Sequence, residues 1–332
     1  MHGLLKTTLL SIMLLASPGI MAAEVSHTLP GSPAGHWTPR LLLREQAPAS
    51  GDRSHPVLYV HGASFPSELS IMFRFEGTSW ADDLNERGYD VFGLDFAGYG
   101  GSERYPGMLG DAPMVGAPLG RAPEAAVQVE RAVRYIMAST GAPRVTIIAH
   151  SWGTIVAALF ATRHPELVDR LVLFGAIVKR EGPARSEPDA WSLVTIEEQH
   201  TRFVGGVPKG HAGVLVEQDF PRWARTYLAT DPTSGERSPA SVKVPSGPSA
   251  DVLDAWSGKL AYDPARIMTP TLIVSGAWDG SSTPADAAWL AGAMSPMVDK
   301  TVVTVPDATH LMHLESGRRE LYRAVDHFLE KR

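Results

Sequence analysis

Residues 144–153 read Arg-Val-Thr-Ile-Ile-Ala-His-Ser-Trp-Gly. An apolar run, Val145–Ala149, leads into a serine with small residues two places before and two places after it, Ala149 and Gly153. A sharp strand-to-helix turn crowds the backbone at both flanking positions, so it needs small residues there. The stretch that follows, Thr154–His164, reads as a helix. Such a turn lifts the Ser151 hydroxyl above the end of a sheet and sets it beside the unpaired N–H groups that open a helix. A serine hydroxyl is a weak nucleophile at neutral pH, so a chemical role for Ser151 requires a partnered base. Ser-X-Gly is equally compatible with a serine that caps a buried helix, and Ala149 stands where such turns commonly carry glycine. The surroundings decide between the two.

Outward from this turn the chain alternates. Val57–Val60, Tyr89–Leu94, Arg144–Ala149, Arg170–Phe174, Thr271–Val274 and Thr301–Val305 are near-continuous apolar runs, the pattern of strands buried on both faces. Between and after them lie helical stretches at Pro123–Ser139, Thr154–His164, Pro284–Ala293 and Ser316–Glu330; in the first, Ala126, Val129, Val133 and Ile136 recur at helical spacing. Alternation of this kind predicts an α/β protein with a doubly wound, mostly parallel sheet. Residues 24–54, rich in Pro, Gly, Ser and His, carry one expected strand at Leu41–Arg44 and otherwise wrap the surface. Residues 178–265 break the rhythm: they hold no clear buried strand, have Pro/Ser/Gly-rich stretches at 183–188 and 232–249, and read as a mainly helical cap inserted over the sheet. The expected organisation is a core in two parts, 24–177 and 266–332, with a cap at 178–265 between them.

Two further strand ends supply a base and an acid. Asp279 follows the run at 271–274, and His310 follows the run at 301–305, so both sit at the sheet edge that carries Ser151. The order Ser151, Asp279, His310 is that of one of the three known arrangements of such a triad. His310 is then the expected proton acceptor, and Asp279 the group that holds its tautomer and stabilises its protonated form. Asp279 precedes Gly280, and Asp-Gly is also a common turn pair. Asp307 lies too near His310 in sequence to serve as the acid, and His313 is expected to point at packing or at Glu315. His150, beside the serine, is expected to face away from it and to be structural. Val60-His61-Gly62-Ala63-Ser64 closes the run at 57–60. The backbone N–H groups of Ala63 and Trp152 are the expected pair of donors to a tetrahedral oxyanion.

Taken in order, His61-Gly62, Asp95-Phe-Ala-Gly98-Tyr-Gly100-Gly-Ser102, His150-Ser-Trp-Gly153, Asp279 and His310 resemble the α/β-hydrolase superfamily over about residues 40–332. The resemblance implies a serine hydrolase with a cap, and a structural role for Asp95 and its neighbouring glycines. Members that dehalogenate or open epoxides carry an aspartate at the elbow, and dienelactone-type members a cysteine; this chain has Ser151 and no cysteine at all.

The remaining composition bounds location and partners. The 332 residues are 44% hydrophobic and 20% charged, with a formal net charge of −6, ordinary for a globular enzyme and without the basic patch of a nucleic-acid binder. No metal and no cofactor is expected, and the partner is a small-molecule substrate. Residues 1–23 carry Lys6, an apolar stretch at Leu9–Ala16, a break at Pro18-Gly19 and small residues at Ala22-Ala23. This is the pattern of a cleavable secretory signal, its apolar part shorter than the roughly 20 residues needed to span a bilayer. It predicts a periplasmic or secreted protein cleaved near Ala22 or Ala23, with no stable membrane insertion afterwards.

The leading expectation for activity is cleavage of a carboxylic ester through an acyl-enzyme. An elbow with Trp after Ser also resembles proline iminopeptidases, which need cap carboxylates to hold a free amino terminus; Glu197, Glu198 and Glu217 are available. A third reading is hydrolysis of a carbon–carbon bond by a similar triad, and a fourth is a binding protein that has kept the fold without the chemistry. The cap aromatics Trp191, His200, Phe203, Phe220, Trp223, Tyr227 and Trp256 are expected to be mostly the cap's own core. Some of the apolar residues between Phe65 and Trp80 are candidates for the pocket wall.

Overall fold

The computed structural model describes residues 23–32, 37–110 and 115–331. The expected signal segment therefore lies outside the described residues, apart from Ala23. Ten strands run β1 Glu24–Leu29, β2 Leu41–Gln46, β3 Pro56–Val60, β4 Asp90–Asp95, β5 Val145–His150, β6 Val168–Phe174, β7 Trp191–Thr195, β8 Ser241–Pro245, β9 Thr271–Gly276 and β10 Lys300–Val305. The helices among the described residues are α1 Trp80–Glu86, α2 Ala122–Thr140, α3 Trp152–Arg163, α4 Ile196–Val204, α5 Phe220–Ala229, α6 Gly247–Trp256, α7 Pro284–Ala293 and α8 Arg319–Glu330.

Eight strands form one sheet in the order β1-β2-β4-β3-β5-β6-β9-β10. It is parallel from β4 through β10, and β2 joins antiparallel to β4, as β1 does to β2. This is the doubly wound, mostly parallel architecture expected. Alternate side chains of each central strand leave on opposite faces. Leu58, Val60, Phe92, Leu94, Ile147, Ala149, Leu171, Leu173 and Ile273 pack with α2, α3 and α7. Val57, Tyr59, Val91, Ile148, Val172, Phe174, Leu272 and Val274 pack on the other face with α1 and α8. Two layers of helix therefore cover the sheet, which is why its middle strands read as continuous apolar runs.

Four features differ from the sequence reading. The arm before β2 contains a second strand, β1, paired along its whole length with β2. A short helix, α1, follows the apolar loop; Ser79 and Asp82 close a capping box at its start, with Asp82 N–H to Ser79 Oγ at 3.0 Å and Ser79 N–H to Asp82 Oδ2 at 2.9 Å. β10 is the outer strand and keeps Val302 42% exposed, so it is buried on only part of its surface. The segment between β6 and β9 is also not purely helical: β7 and β8 pair antiparallel from Trp191–Pro245 to Thr195–Ser241, and β8 is buried throughout. Core residues hold this ribbon in place. Arg104 donates to the carbonyls of Lys243 (3.0 Å) and Thr230 (2.8 Å), and Lys243 Nζ donates to that of Gly110 (2.5 Å).

Candidate active site

The sheet brings three of the expected side chains together above the carboxyl ends of β5, β9 and β10. The Ser151 hydroxyl donates to His310 Nε2 at 2.8 Å, and His310 Nδ1–H donates to Asp279 Oδ2 at 2.8 Å. The other oxygen of Asp279 accepts the backbone N–H groups of Ser281 and Ser282, each at 2.8 Å. Asp279 is almost fully buried, while the His310 side chain keeps 24% of its surface. The acid is thus fixed by main chain on one side, and its free lone pairs are aimed at one ring nitrogen on the other. That arrangement selects the tautomer that leaves Nε2 free to accept the serine proton.

Ser151 itself stands at φ 55° and ψ −128°, a region that L-residues enter only where the surrounding structure over-determines them. The flanking contacts explain the small residues read from the sequence. A Cβ on Gly153 would stand 2.4 Å from the carbonyl oxygen of His61 and 2.7 Å from that of Val60. On Gly62 it would meet Ser151 Cβ at 3.1 Å. The elbow and the loop after β3 are therefore packed backbone to backbone.

That contact orients the expected oxyanion donors. His61 is fully buried; its Nδ1–H donates to Gly62 O at 2.7 Å, and its Nε2 accepts Phe96 N–H at 3.2 Å. A trans peptide carries its C=O and N–H on opposite sides, so anchoring Gly62 O at His61 turns Ala63 N–H away from that ring. The Tyr99 hydroxyl holds the next carbonyl, Ala63 O, at 2.6 Å. Burial pushes His61 down to about 4, so it stays neutral as this pairing requires. Trp152, the other expected donor, occupies the first position of α3, where the helix field favours negative charge.

The neighbouring residues fall as follows. Asp95 is buried and structural: Oδ1 accepts both the N–H and the hydroxyl of Ser67 at 3.0 and 2.6 Å, and Oδ2 accepts Gly101 N–H at 3.2 Å. Asp307 is exposed. His150 lies flat on Phe174, and its Nε2–H donates to His310 O at 2.9 Å, though the residue also lines the cavity. His313 packs among Tyr59, His150 and Phe174 and finds no partner for either nitrogen among the described residues; burial pushes it down to about 3. Glu315 turns to Thr309 instead, accepting its N–H at 3.2 Å and its hydroxyl. Burial, with Asp279 nearby, pushes Glu315 up to about 7.

Three polar residues at this site carry no local sequence signal. Glu315 is one. Asp251, on α6, reaches down to Trp152 and Arg121. Arg202, on α4, lines the cavity. Glu315, Asp251 and Arg202 are ordinary charged residues in sequence, placed by tertiary packing.

A cavity of about 460 Å³ opens on Ser151 and His310, walled by Ala63, Phe65, Ile177, Val252, Trp256, Trp278 and Leu311 among others. Of the seven aromatic and histidine side chains expected mostly to be cap core, only Trp256 reaches it. Phe220, Trp223 and Tyr227 stack in a row, and Phe203 and Phe65 meet them edge to face. From the loop before α1 only Phe65 lines the cavity; Ile71, Met72, Phe73, Phe75 and Trp80 are buried core.

The fold agrees with what the chain resembles. The family model described as alpha/beta hydrolase fold matches residues 55–317, so the chain belongs to that family and is of hydrolase class. Epoxide hydrolase 3 of Xenopus tropicalis is 30% identical over 131 residues, 39% of this chain and 29% of that relative. The chain thus spans less than a third of that relative's length. Among solved structures, a thermophilic esterase from Thermogutta terrifontis superposes with a TM-score of 0.56 at 20% identity, covering 93% of this chain and 99% of the other. The enol-lactonase from Burkholderia xenovorans superposes with a TM-score of 0.56 at 16% identity, covering 91% and 100%. Among the described residues no helix is long and apolar enough to cross a membrane.

Proposed function

We propose that the protein is an exported serine hydrolase that cleaves carboxylic esters through an acyl-enzyme. The observation that carries this reading is the unbroken chain from Asp279 through His310 to the Ser151 hydroxyl, 2.8 Å at each link. Ser151 Oγ bonds to the ester carbonyl carbon as its proton passes to His310 Nε2. The resulting oxyanion lies between the N–H groups of Ala63 and Trp152. Removing one such donor costs about 100- to 1000-fold in rate. Collapse breaks the carbon–oxygen bond, and the alcohol leaves with the proton from His310. Water then attacks the acyl-enzyme with His310 as base, releasing the acid and restoring Ser151. Residues 178–265 serve as the cap that roofs this chemistry, set between core parts 24–177 and 266–332.

One reading loses support at the pocket. The peptidase reading needs carboxylates that face the cavity. Glu198 is used in the capping box of α4, Glu197 and Glu217 are exposed, and none of the three lines it. The elbow's serine, where epoxide opening needs a carboxylate, favours acyl transfer over the reaction in the relative's name.

Ser151→Ala should reduce turnover of p-nitrophenyl esters to background with an unchanged circular dichroism spectrum, and should abolish labelling by a fluorophosphonate probe. A wild-type protein that the probe does not label would end the serine-hydrolase reading. For export, N-terminal sequencing of the full chain recovered from the periplasm or medium should start near residue 23 or 24; protein kept in the cytoplasm with residues 1–23 attached would overturn it.

A further inference from the structure

The cavity is mostly apolar, yet one side chain in its wall carries a permanent charge. Of the eighteen residues that line it, Arg202 alone bears a guanidinium or ammonium group, and no Asp or Glu is among them. Arg202 lies in the last turn of α4 and is exposed, which puts it at the cavity mouth.

Nothing among the described residues neutralises that charge. Among the described residues no carboxylate lies within ion-pair distance of Arg202, whereas Arg180, over the ring of Trp256, is held by Asp286 at 2.6 Å. The natural partner is Glu198, one helical turn earlier, at the spacing that commonly forms a surface pair. Glu198 is engaged elsewhere: its carboxylate takes Thr195 N–H at 2.7 Å and the Thr195 hydroxyl at 3.0 Å, closing the N-terminus of α4. Arg202 makes one hydrogen bond, from Nη1 to Ser64 Oγ, and Ser64 also lines the cavity, next to Ala63. A guanidinium presents five N–H donors in a planar fork that matches a carboxylate. Here most of those donors are unspent, beside the loop expected to hold the oxyanion.

We infer that Arg202 is a specificity determinant that binds an anionic group of the substrate, so that the enzyme takes small esters bearing a free carboxylate. The apolar wall of Phe65, Ile177, Val252 and Leu311 accommodates the carbon chain between the carboxylate and the ester. Trp256 and Trp278 flank it. This rests on the ester-hydrolase reading for its kinetic test, but the binding of the anion does not.

The kinetic experiment compares mono-p-nitrophenyl glutarate with p-nitrophenyl pentanoate, which match closely in length but differ in the terminal carboxylate. The wild type should favour the glutarate monoester in kcat/KM. In Arg202→Gln the ratio of the two kcat/KM values should fall about 3- to 10-fold, the range expected for a bidentate but solvent-exposed ion pair, with most of the loss in KM. Arg202→Lys should fall between the two, because it keeps the charge and loses the fork. The preference should also weaken with added salt, since the pair is exposed. A wild type that does not distinguish the two esters, or a ratio unchanged in Arg202→Gln, overturns the inference. A second arm is independent of turnover: glutarate alone is titrated against tryptophan fluorescence, which Trp256 and Trp278 report. Saturable binding that weakens at least about 3-fold in Arg202→Gln supports the anion site even if neither ester is cleaved, an outcome that would sink the ester reading alone. Absence of glutarate binding in the wild type, or equal binding in the variant, counts against Arg202 whichever bond Ser151 attacks.

Discussion

Asp251 Oδ2 accepts the indole N–H of Trp152 at 2.8 Å, tying helix α6 to the residue immediately after Ser151. The same oxygen takes Ala122 N–H at 2.7 Å, and Oδ1 takes Arg121 Nε–H at 2.6 Å. One carboxylate from the segment above the site therefore fastens the starts of both α2 and α3.

Replacing Asp251 by Ala leaves the Trp152 indole and the Ala122 amide without an acceptor and strips Arg121 of a buried partner. Breaking a buried pair from one side typically costs about 3–5 kcal/mol. The expected result is a large drop in the urea midpoint together with lower kcat, because the Trp152 peptide is no longer held. Asp251→Asn keeps one acceptor oxygen and should recover part of both. Equal stability of Asp251→Ala and wild type would show that the link carries no load.

The conformation of Ser151 gives a second expectation. Its φ of 55° is costly for any residue with a Cβ and easy for glycine. Ser151→Gly should be inactive yet more stable than Ser151→Ala by about 1 kcal/mol, the difference between strain relief of order 1–3 kcal/mol and the entropy cost of glycine. Paired thermal melts of the two inactive variants test this, and a lower Tm for the glycine variant would contradict it.

Asp326 provides a pH test away from the site. It is buried beside Asp83, with Arg87 Nε at 2.8 Å, and burial first, then Asp83, push it up to about 7. A carboxyl with a raised folded pKa favours the folded state most strongly at low pH, and that contribution is lost as pH climbs from the unfolded value near 4 through about 7. Asp326→Asn does not titrate. Its stability relative to wild type should therefore improve steadily between pH 4 and 7.5 in chemical denaturation, and a flat difference across that range would rule the mechanism out.

What the sequence made legible follows from where each residue's constraints arise. Strands β3 to β6 and β9 are covered on both faces, so their burial is written as apolar runs. The elbow was readable because its sterics are local: Gly153 has no room for a Cβ beside His61 O. Ser151 and Asp279 could be ordered because each follows such a run, and His310 because the outer strand β10 before it is still apolar in sequence. β1 escaped because it is a half-solvated outer strand, with Val25 50% exposed. β8 escaped because Ser-Val-Lys-Val-Pro looks like a loop, its lysine sheltered by the ring of Trp191 and by the carbonyls of Met108 and Gly110. The capping box that opens α1 was present at Ser79 and Asp82 and could have been read. Arg202, Asp251 and Glu315 had no local signal, since their meaning lies in partners far away in sequence or, for Arg202, in the partner it lacks.

The β7–β8 ribbon has a consequence for how the family can vary this enzyme. By joining Trp191 to Pro245 it closes the long excursion between them at its base. Once a loop is shut there, doubling its length costs only about 0.6 kcal/mol more in closure entropy. Insertions or deletions in the exposed stretch 208–213 are therefore cheap for the fold and leave the elbow undisturbed, whereas the buried Phe203, Phe220, Trp223 and Tyr227 have to be kept. The ribbon acts as a socket: substrate preference can be rewritten above it while the chemistry below is inherited intact.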